Sequence, residues 1–276
     1  MPIDFSDPKA RTIAALCLVA IAAAGFGALY ARGPNERGGA ITAITNGGEF
    51  NEQQRAAIGK IVKDYLVANP EIMVDVQTAL EAKLEKEQAE KLKTFMAANA
   101  KTIYRNPESP TAGDPKGDIT VVEFFDYNCG YCKRGLPEVQ KLLEGDKKVR
   151  FVFKELPILS KGSEESAKVA LATKKQGKYW EFHQAMLSQK GQANEASSMK
   201  AAEALGLDMD KLKTDMASKE VEDELAADKQ LAKSMGINGT PHFLVGDKSI
   251  PGAPDDLHAQ LEDLVTEFRK TGCGYC

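Results

Sequence analysis

Cysteine and histidine are scarce in this chain, with five cysteines and three histidines among 276 residues. That density is far too low for a small scaffold stapled by disulfides. With no histidine-rich or methionine-rich tract beside the cysteines, a dedicated metal carrier is disfavoured and no metal site is expected. The 23 glycines and 12 prolines follow no triplet period, which removes a collagen-like rod. Positive charge is not in excess either. Lys and Arg total 36 against 40 Asp and Glu, a formal net charge of −4, so no nucleic-acid partner is expected. What remains is an ordinary globular composition, 43% hydrophobic and 28% charged. At a soft ~150 residues per domain, the length suits one large domain with an appendage.

One long uncharged run breaks the pattern: residues 12–31, TIAALCLVAIAAAGFGALYA, preceded by Lys9 and Arg11. At the helical rise such a run spans about 30 Å, the thickness of a bilayer's hydrocarbon core. Alanine-rich and close to the N-terminus, it reads as an export signal. It is either a signal peptide, with Gly25 and Gly27 as the small residues before the cut, or an uncleaved anchor, which its length favours. Basic residues flank both ends (Lys9 and Arg11, Arg32 and Arg37), so orientation is not decided by them. Cys17 follows Leu16 rather than a small residue and reads as an apolar filler. Residues 32–50 contain Gly-Pro and two Gly-Gly pairs and read as a linker.

From residue 51 the pattern becomes helical. Ala57, Ile58, Ile61, Val62, Tyr65 and Leu66 form one apolar stripe; after Pro70, Ile72, Met73, Val76, Leu80 and Leu84 form another. Two narrow apolar faces with charged backs lack the mass for a core of their own. Residues 51–103 are therefore expected to associate with other copies of the chain, although the heptad is too irregular for a regular coiled coil.

Asp118 to Tyr127, DITVVEFFDY, is dense in β-branched and aromatic residues, as a buried strand is. It runs into Cys129-Gly130-Tyr131-Cys132, and helical periodicity resumes at Leu136, Val139, Leu142 and Leu143. Strand, C-x-x-C and helix together point to thiol–disulfide chemistry. Zinc would need four ligands, and neither His183 nor His242 is spaced to complete a site. A thiolate at a helix N-terminus faces unpaired N–H groups and the positive end of the helix dipole, which depress its pKa. Cys129 is thus the expected nucleophile and Cys132 the resolving thiol. Further strand is expected at residues 149–155 and in the loop-strand GINGTPHFLV, with several helices between them and a final amphipathic helix at about 254–269.

The motifs VVEFFDYNCGYC, KYWEFHQAM and GINGTPHFLV together resemble the DsbA family of the thioredoxin superfamily, periplasmic thiol–disulfide oxidoreductases. The segment IVKDYLVANPEIMVDV resembles that of the suppressor-of-copper-sensitivity C-type branch, whose N-terminal segments trimerise some members. The implied fold class is α/β: a thioredoxin-like fold with an inserted helical subdomain, preceded by the helical segment and the anchor or signal sequence. The implied division is 1–31 signal or anchor, 32–50 linker, 51–103 oligomerisation segment, 104–270 DsbA-like domain and 271–276 cysteine-containing tail.

The resemblance implies a redox pair at Cys129 and Cys132, with Gly130 and Tyr131 between them as part of the substrate-binding surface. It implies a cis-proline at Thr240-Pro241 facing the disulfide and the substrate, and a buried acid at Glu123 that relays a proton to or from Cys132. Trp180 and His183 match a family helix and read as packing residues. No cofactor is implied. The implied setting is the bacterial periplasm, anchored to the inner membrane by residues 12–31. The implied partners are exported cysteine-containing proteins, a membrane thiol–disulfide partner that resets the site, and further copies of the chain, a trimer being favoured.

Gly130-Tyr131 stand where the strongly oxidising members carry Pro-His, and Cys-Gly-Tyr-Cys with Thr before the proline resembles the DsbC-like isomerase pattern. Isomerase or reductase activity is therefore expected ahead of oxidase activity. The alternative is a Cu(I)-binding copper-tolerance protein using the same thiols. The tail repeats Cys-Gly-Tyr-Cys at 273–276 without strand or helix, and reads either as a mobile tail, with free thiols or a small-loop disulfide, or as a second dithiol serving the first.

Overall fold

The computed structural model describes residues 50–276. The expected signal or anchor at 12–31, Cys17 and nearly all of the expected linker lie outside the described residues. Among the described residues no helix is long and apolar enough to cross a membrane.

The chain divides into two compact units, with the boundary between Leu80 and Glu81. In the first, α1 (Glu52–Ala68) opens on a capping box, in which Asn51 and Gln54 satisfy each other's backbone N–H groups. Pro70 separates it from α2 (Glu71–Ala98), which begins in this unit and continues into the second. No residue of α1 is buried, and Ile61, Tyr65, Val74 and Leu80 are all more than half exposed.

The second unit is built on a five-stranded sheet of order β1-β3-β2-β4-β5. Its strands are β1 (Thr111–Gly113), β2 (Ile119–Phe125), β3 (Val149–Glu155), β4 (His242–Val245) and β5 (Lys248–Pro251). Strands β2 and β3 run parallel and every other pairing is antiparallel. Helix α3 (Ala100–Tyr104) precedes the sheet, and α4 (Gly130–Gly145) is the crossover from β2 to β3. Between β3 and β4 lies the helical insertion: α5 (Lys161–Lys174), α6 (Tyr179–Ser188), α7 (Glu195–Ala204), α8 (Met209–Met216) and α9 (Lys219–Met235). Helix α10 (Leu257–Thr271) closes the fold. This is a thioredoxin-like α/β fold with a mixed sheet and an inserted helical subdomain.

Both central strands are buried along their whole length, and the period of two assigns each residue a face. Val121, Phe125, Phe151 and Phe153 enter one core with α4, α5, α6 and α10. Val122, Phe124 and Val152 enter the other, with Ile103, Tyr104, Leu231 and Met235. Met96 is completely buried in that second core, so the compact body takes in the end of α2 and begins well before the expected boundary at residue 104. Strand β1 was not anticipated; three residues with two small side chains carry too little pattern to read.

Gly246 turns the β4–β5 hairpin at φ +57°, and its carbonyl accepts the Tyr104 hydroxyl at 2.7 Å. A Cβ there would run into the Phe268 ring, so glycine is required both by conformation and by space.

The same alternation places Lys154 in the second core, where its ammonium reaches Asp228 of α9 at 2.9 Å and Ser109 at 2.7 Å. Both charges are nearly sealed from solvent, at 2% and 3% side-chain exposure. Removing one partner from such a pair costs about 3–5 kcal/mol because the other charge stays buried. Asp228→Ala is accordingly expected to destabilise by that amount, and Lys154→Met with Asp228→Leu to restore most of it. Urea unfolding at neutral pH measures both.

Candidate active site

The site forms where β2 ends. After Phe125 the chain turns through Asp126, Tyr127 and Asn128, and Cys129 becomes the N-cap of α4 in an extended conformation. It makes no conventional side-chain cap, and the first turn's N–H groups of Tyr131 and Cys132 face its sulfur instead. Cys129 is 6% exposed and Cys132, one turn on, is fully buried; both are free thiols.

The two thiols are driven in opposite directions. Cys129 is lowered to about 5, chiefly by the hydrogen bond from the Cys132 thiol. The Thr240 hydroxyl and the backbone N–H groups of Cys132 and Tyr131 add to this against the cost of burial. Burial pushes the Cys132 thiol well up, reinforced by its bond to Cys129 and by Glu123. At neutral pH the pair therefore holds one negative charge, on the outer sulfur.

Thr240-Pro241 is a cis peptide bond, and the Thr240 carbonyl lies 3.1 Å from the Cys129 sulfur. The Pro241 carbonyl accepts the Gly252 N–H at 2.8 Å, tying this loop to the far side of β5. Gly130 is exposed, and a Cβ on it would meet nothing, so space does not demand glycine here. Tyr131 is 59% exposed, with the Arg134 guanidinium 4.8 Å above its ring.

Glu123 shares the face of Val121 and Phe125 and is 1% exposed. Burial, then the charge of Cys129, raises its carboxyl to about 8. It has no cationic partner among the described residues. His183 and Trp180 lie in an aromatic cluster with Phe125, Tyr127, Phe153 and Tyr179, and burial alone lowers His183 to about 3, leaving it neutral. Among the described residues no three His, Cys, Asp or Glu side chains are grouped to hold a metal ion.

Two polar residues that sequence reasoning missed hold the turn. Asp126 is 1% exposed, and its carboxylate accepts the N–H groups of Asn128 (2.7 Å), Ile158 (2.9 Å) and Leu159 (3.0 Å). Its carbonyl accepts the Cys129 N–H at 3.0 Å. Asn128 clasps Ala193 in both senses, donating to its carbonyl at 2.9 Å and accepting its N–H at 2.7 Å. Ile158 and Leu159, pinned beside the site through their backbones, leave 46% and 54% of their surface exposed. Asp and Asn before the cysteines were visible as residues, but their partners lie about 30 and 65 positions away and leave no local trace.

The opposed shifts give the reduced protein a defined pH response. Glu123, raised from 4.5 to about 8, contributes stability that is lost as pH climbs through that window. Cys129, lowered from 9.0 to about 5, contributes stability that grows as pH climbs from 5 to 9. Between pH 5 and 8 the two nearly offset. Glu123→Gln removes the first, so the reduced variant should gain stability relative to the parent as pH rises across that interval. Parallel unfolding curves at its two ends would show that Glu123 does not titrate there.

A family described as DSBA-like thioredoxin domain matches residues 120–264, and the copper resistance protein ScsC N-terminal domain matches residues 54–87. Among curated relatives, the Na(+)/H(+) antiporter NhaA 3 of Salinispora tropica is 31% identical over 158 residues, 56% of this chain but only 24% of that protein. A thioredoxin-like oxidoreductase from Silicibacter pomeroyi is 45% identical with a TM-score of 0.59, covering 62% of this chain and 97% of its own. A linker-deletion mutant of Proteus mirabilis ScsC is 27% identical with a TM-score of 0.62, covering 82% of this chain and 100% of its own. The chain belongs to the DsbA-like thioredoxin family, and its N-terminal ScsC domain puts it on the ScsC-like branch.

Proposed function

We propose that this chain is a periplasmic protein thiol–disulfide oxidoreductase that works through Cys129 and Cys132, with isomerase or reductase activity ahead of oxidase activity. The observation that carries the reading is the opposed ionisation of the two thiols: a thiolate at 6% exposure beside a fully buried neutral thiol. The Cys129 thiolate attacks a substrate disulfide, a mixed disulfide forms, and the displaced substrate sulfur leaves as a thiolate and takes a proton. Isomerisation ends when that substrate thiolate, or another in the same protein, attacks back. Reduction ends when Cys132 loses its proton and attacks the Cys129 sulfur.

Glu123 suits the second route. While Cys129 is charged, its field helps keep the Glu123 proton on. Once Cys129 is tied up in a mixed disulfide that field is gone, the carboxyl becomes more acidic, and its ionised form is available to take the proton from Cys132. Tyr131, Ile158 and Leu159 supply exposed apolar contacts for an unfolded substrate chain. A Cu(I) site on the same pair would need Cys132 ionised as well, and burial works against that, so exchange is the favoured reading.

We further propose that α1 and the first part of α2 join copies of the chain, a trimer being favoured. Ile61, Tyr65, Val74 and Leu80 have no cover within their own unit, and the ScsC N-terminal match falls on the same residues. The proposed substrates are exported cysteine-containing proteins. A membrane thiol–disulfide partner would reset the site, with residues 12–31 as the anchor.

Cys129→Ser is expected to reduce insulin reduction to the uncatalysed level, whereas Cys132→Ser should accumulate mixed disulfides with the substrate. Equal activity in the two variants would overturn the assignment of roles. Sedimentation should find the full chain larger than a monomer and a chain beginning at Glu81 monomeric. A monomer in both cases at tens of micromolar, about the range of weak complexes, removes the assembly.

A further inference from the structure

The second Cys-Gly-Tyr-Cys is not a spare copy in a loose end. Cys273 and Cys276 form a disulfide, both are half-buried, and both pack against the core that holds α4 and α10. Tyr275 packs against the opposite core. One hydrogen bond links this tail to the sheet, from the Thr120 hydroxyl to the Cys276 carbonyl at 3.4 Å, near the limit of such a bond.

As a staple this disulfide accomplishes little. Cross-links stabilise by closing long loops in the unfolded chain, and this one joins residues only three apart. As an exchange site it is better equipped. The Cys276 N–H donates to the Cys273 sulfur at 3.1 Å, just as the Cys132 N–H supports the Cys129 sulfur. A thiolate released at Cys273 would retain that donor, which makes Cys273 the better leaving group and Cys276 the sulfur open to attack.

The reductant cannot be the Cys129–Cys132 pair of the same molecule. The tail sits beside Thr120, at the start of β2, whereas Cys129 follows the end of that strand. From Thr120 to Phe125 alone is about 17 Å at the strand's rise. Helix α10 ends at the same far edge, where Arg269 holds Asp118 at 2.7 Å. Fully extended, the five residues beyond Thr271 reach at most about 18 Å, which is spent before the active-site turn begins. The reading of the tail as a relay to its own active site therefore fails on distance.

We propose that Cys273–Cys276 is a second thiol–disulfide exchange site, which accepts two electrons from the Cys129–Cys132 dithiol of another copy of this chain. This rests on the reading of Cys129 as an exchange nucleophile. Cys129 of one copy, as the thiolate, attacks the Cys276 sulfur of the other. The Cys273–Cys276 bond breaks, a Cys129–Cys276 bond forms, and Cys273 leaves as a thiolate. Cys132 then gives up its proton and attacks the Cys129 sulfur, so that Cys129–Cys132 becomes the disulfide and Cys276 leaves as a thiolate. One new thiol takes the proton that Cys132 released and the other takes one from water. The acceptor copy is reduced by two electrons and the donor is oxidised by two. Cys273 and Cys276 are each partly exposed, and the glycines at 272 and 274 beside them leave the approach to the disulfide uncrowded.

The test uses two full-length chains, both carrying Cys17→Ser. The acceptor also carries Cys129→Ser and Cys132→Ser and has its tail oxidised; the donor also carries Cys273→Ser and Cys276→Ser and is fully reduced. After mixing, acid quenching and alkylation, mass spectrometry should find two thiols gained on the acceptor and two lost from the donor. The transfer should be at least ~10-fold faster than with the same concentration of glutathione, a thiol with no activating site. A donor carrying Cys132→Ser in addition should be trapped on Cys276. Transfer no faster than glutathione, or trapping on Cys273, overturns the proposal. Insulin reduction by the donor separates the two readings: if it reduces insulin but not the acceptor, only the second site falls, and if it reduces neither, the reading of Cys129 falls too. Alanine in place of serine repeats the measurement if circular dichroism shows either chain unfolded.

Discussion

One negative charge, on the sulfur of Cys129, is the constraint around which the site is arranged. It sits at 6% exposure, where desolvation alone would protonate it. The thiol of Cys132, the hydroxyl of Thr240 and the open first turn of α4 offset that cost. The neighbours adjust to the same charge: Cys132 keeps its proton and Glu123 is held protonated up to about 8. The polar scaffold serves it as well. Asp126 and Asn128 fix the turn that aims Cys129, and the Pro241–Gly252 hydrogen bond holds the loop that brings Thr240 to it. One nucleophile beside one concealed thiol is the arrangement that exchange chemistry uses.

Much of this arrangement was legible in the sequence because it is local. A run of β-branched and aromatic residues entering C-x-x-C and leaving as a helix is read from a dozen consecutive positions, and β2 and α4 lie where that run puts them. Glu123 was reached through the resemblance of VVEFFDYNCGYC rather than through any period, and it lies on β2 three residues before the turn that carries Cys129. What was not legible depends on contacts between distant segments. The clasp of Asn128 on Ala193, the Asp126 bonds to residues 158 and 159, and the buried Lys154–Asp228 pair join positions 32 to 74 apart. Single polar residues carry no period, so nothing announces their partners. The end of α2 is a related case: Met96, with Leu92 and Phe95 beside it, packs on the sheet's second core, and an apolar cluster at the end of a charged helix does not say which body it joins.

The two Cys-Gly-Tyr-Cys segments make the same point within one chain. The tetrapeptide provides a backbone donor to its first sulfur in both places. Only the first is set between a buried strand and a helix start, beside a cis-proline loop and a buried acid. Chemical character therefore comes from the fold around the motif, and the tail is suited to receive an attack rather than to make one.

The central claim is that Cys129 is the ionised thiol at neutral pH and Cys132 is not. Its most direct test is the ultraviolet thiolate absorbance of the reduced chain, carrying Cys17→Ser, Cys273→Ser and Cys276→Ser, followed as a function of pH. One thiolate should form with a midpoint near 5, and the second only well above 9.0, the ordinary value for a cysteine. Two thiolates rising together near that ordinary value would contradict the account.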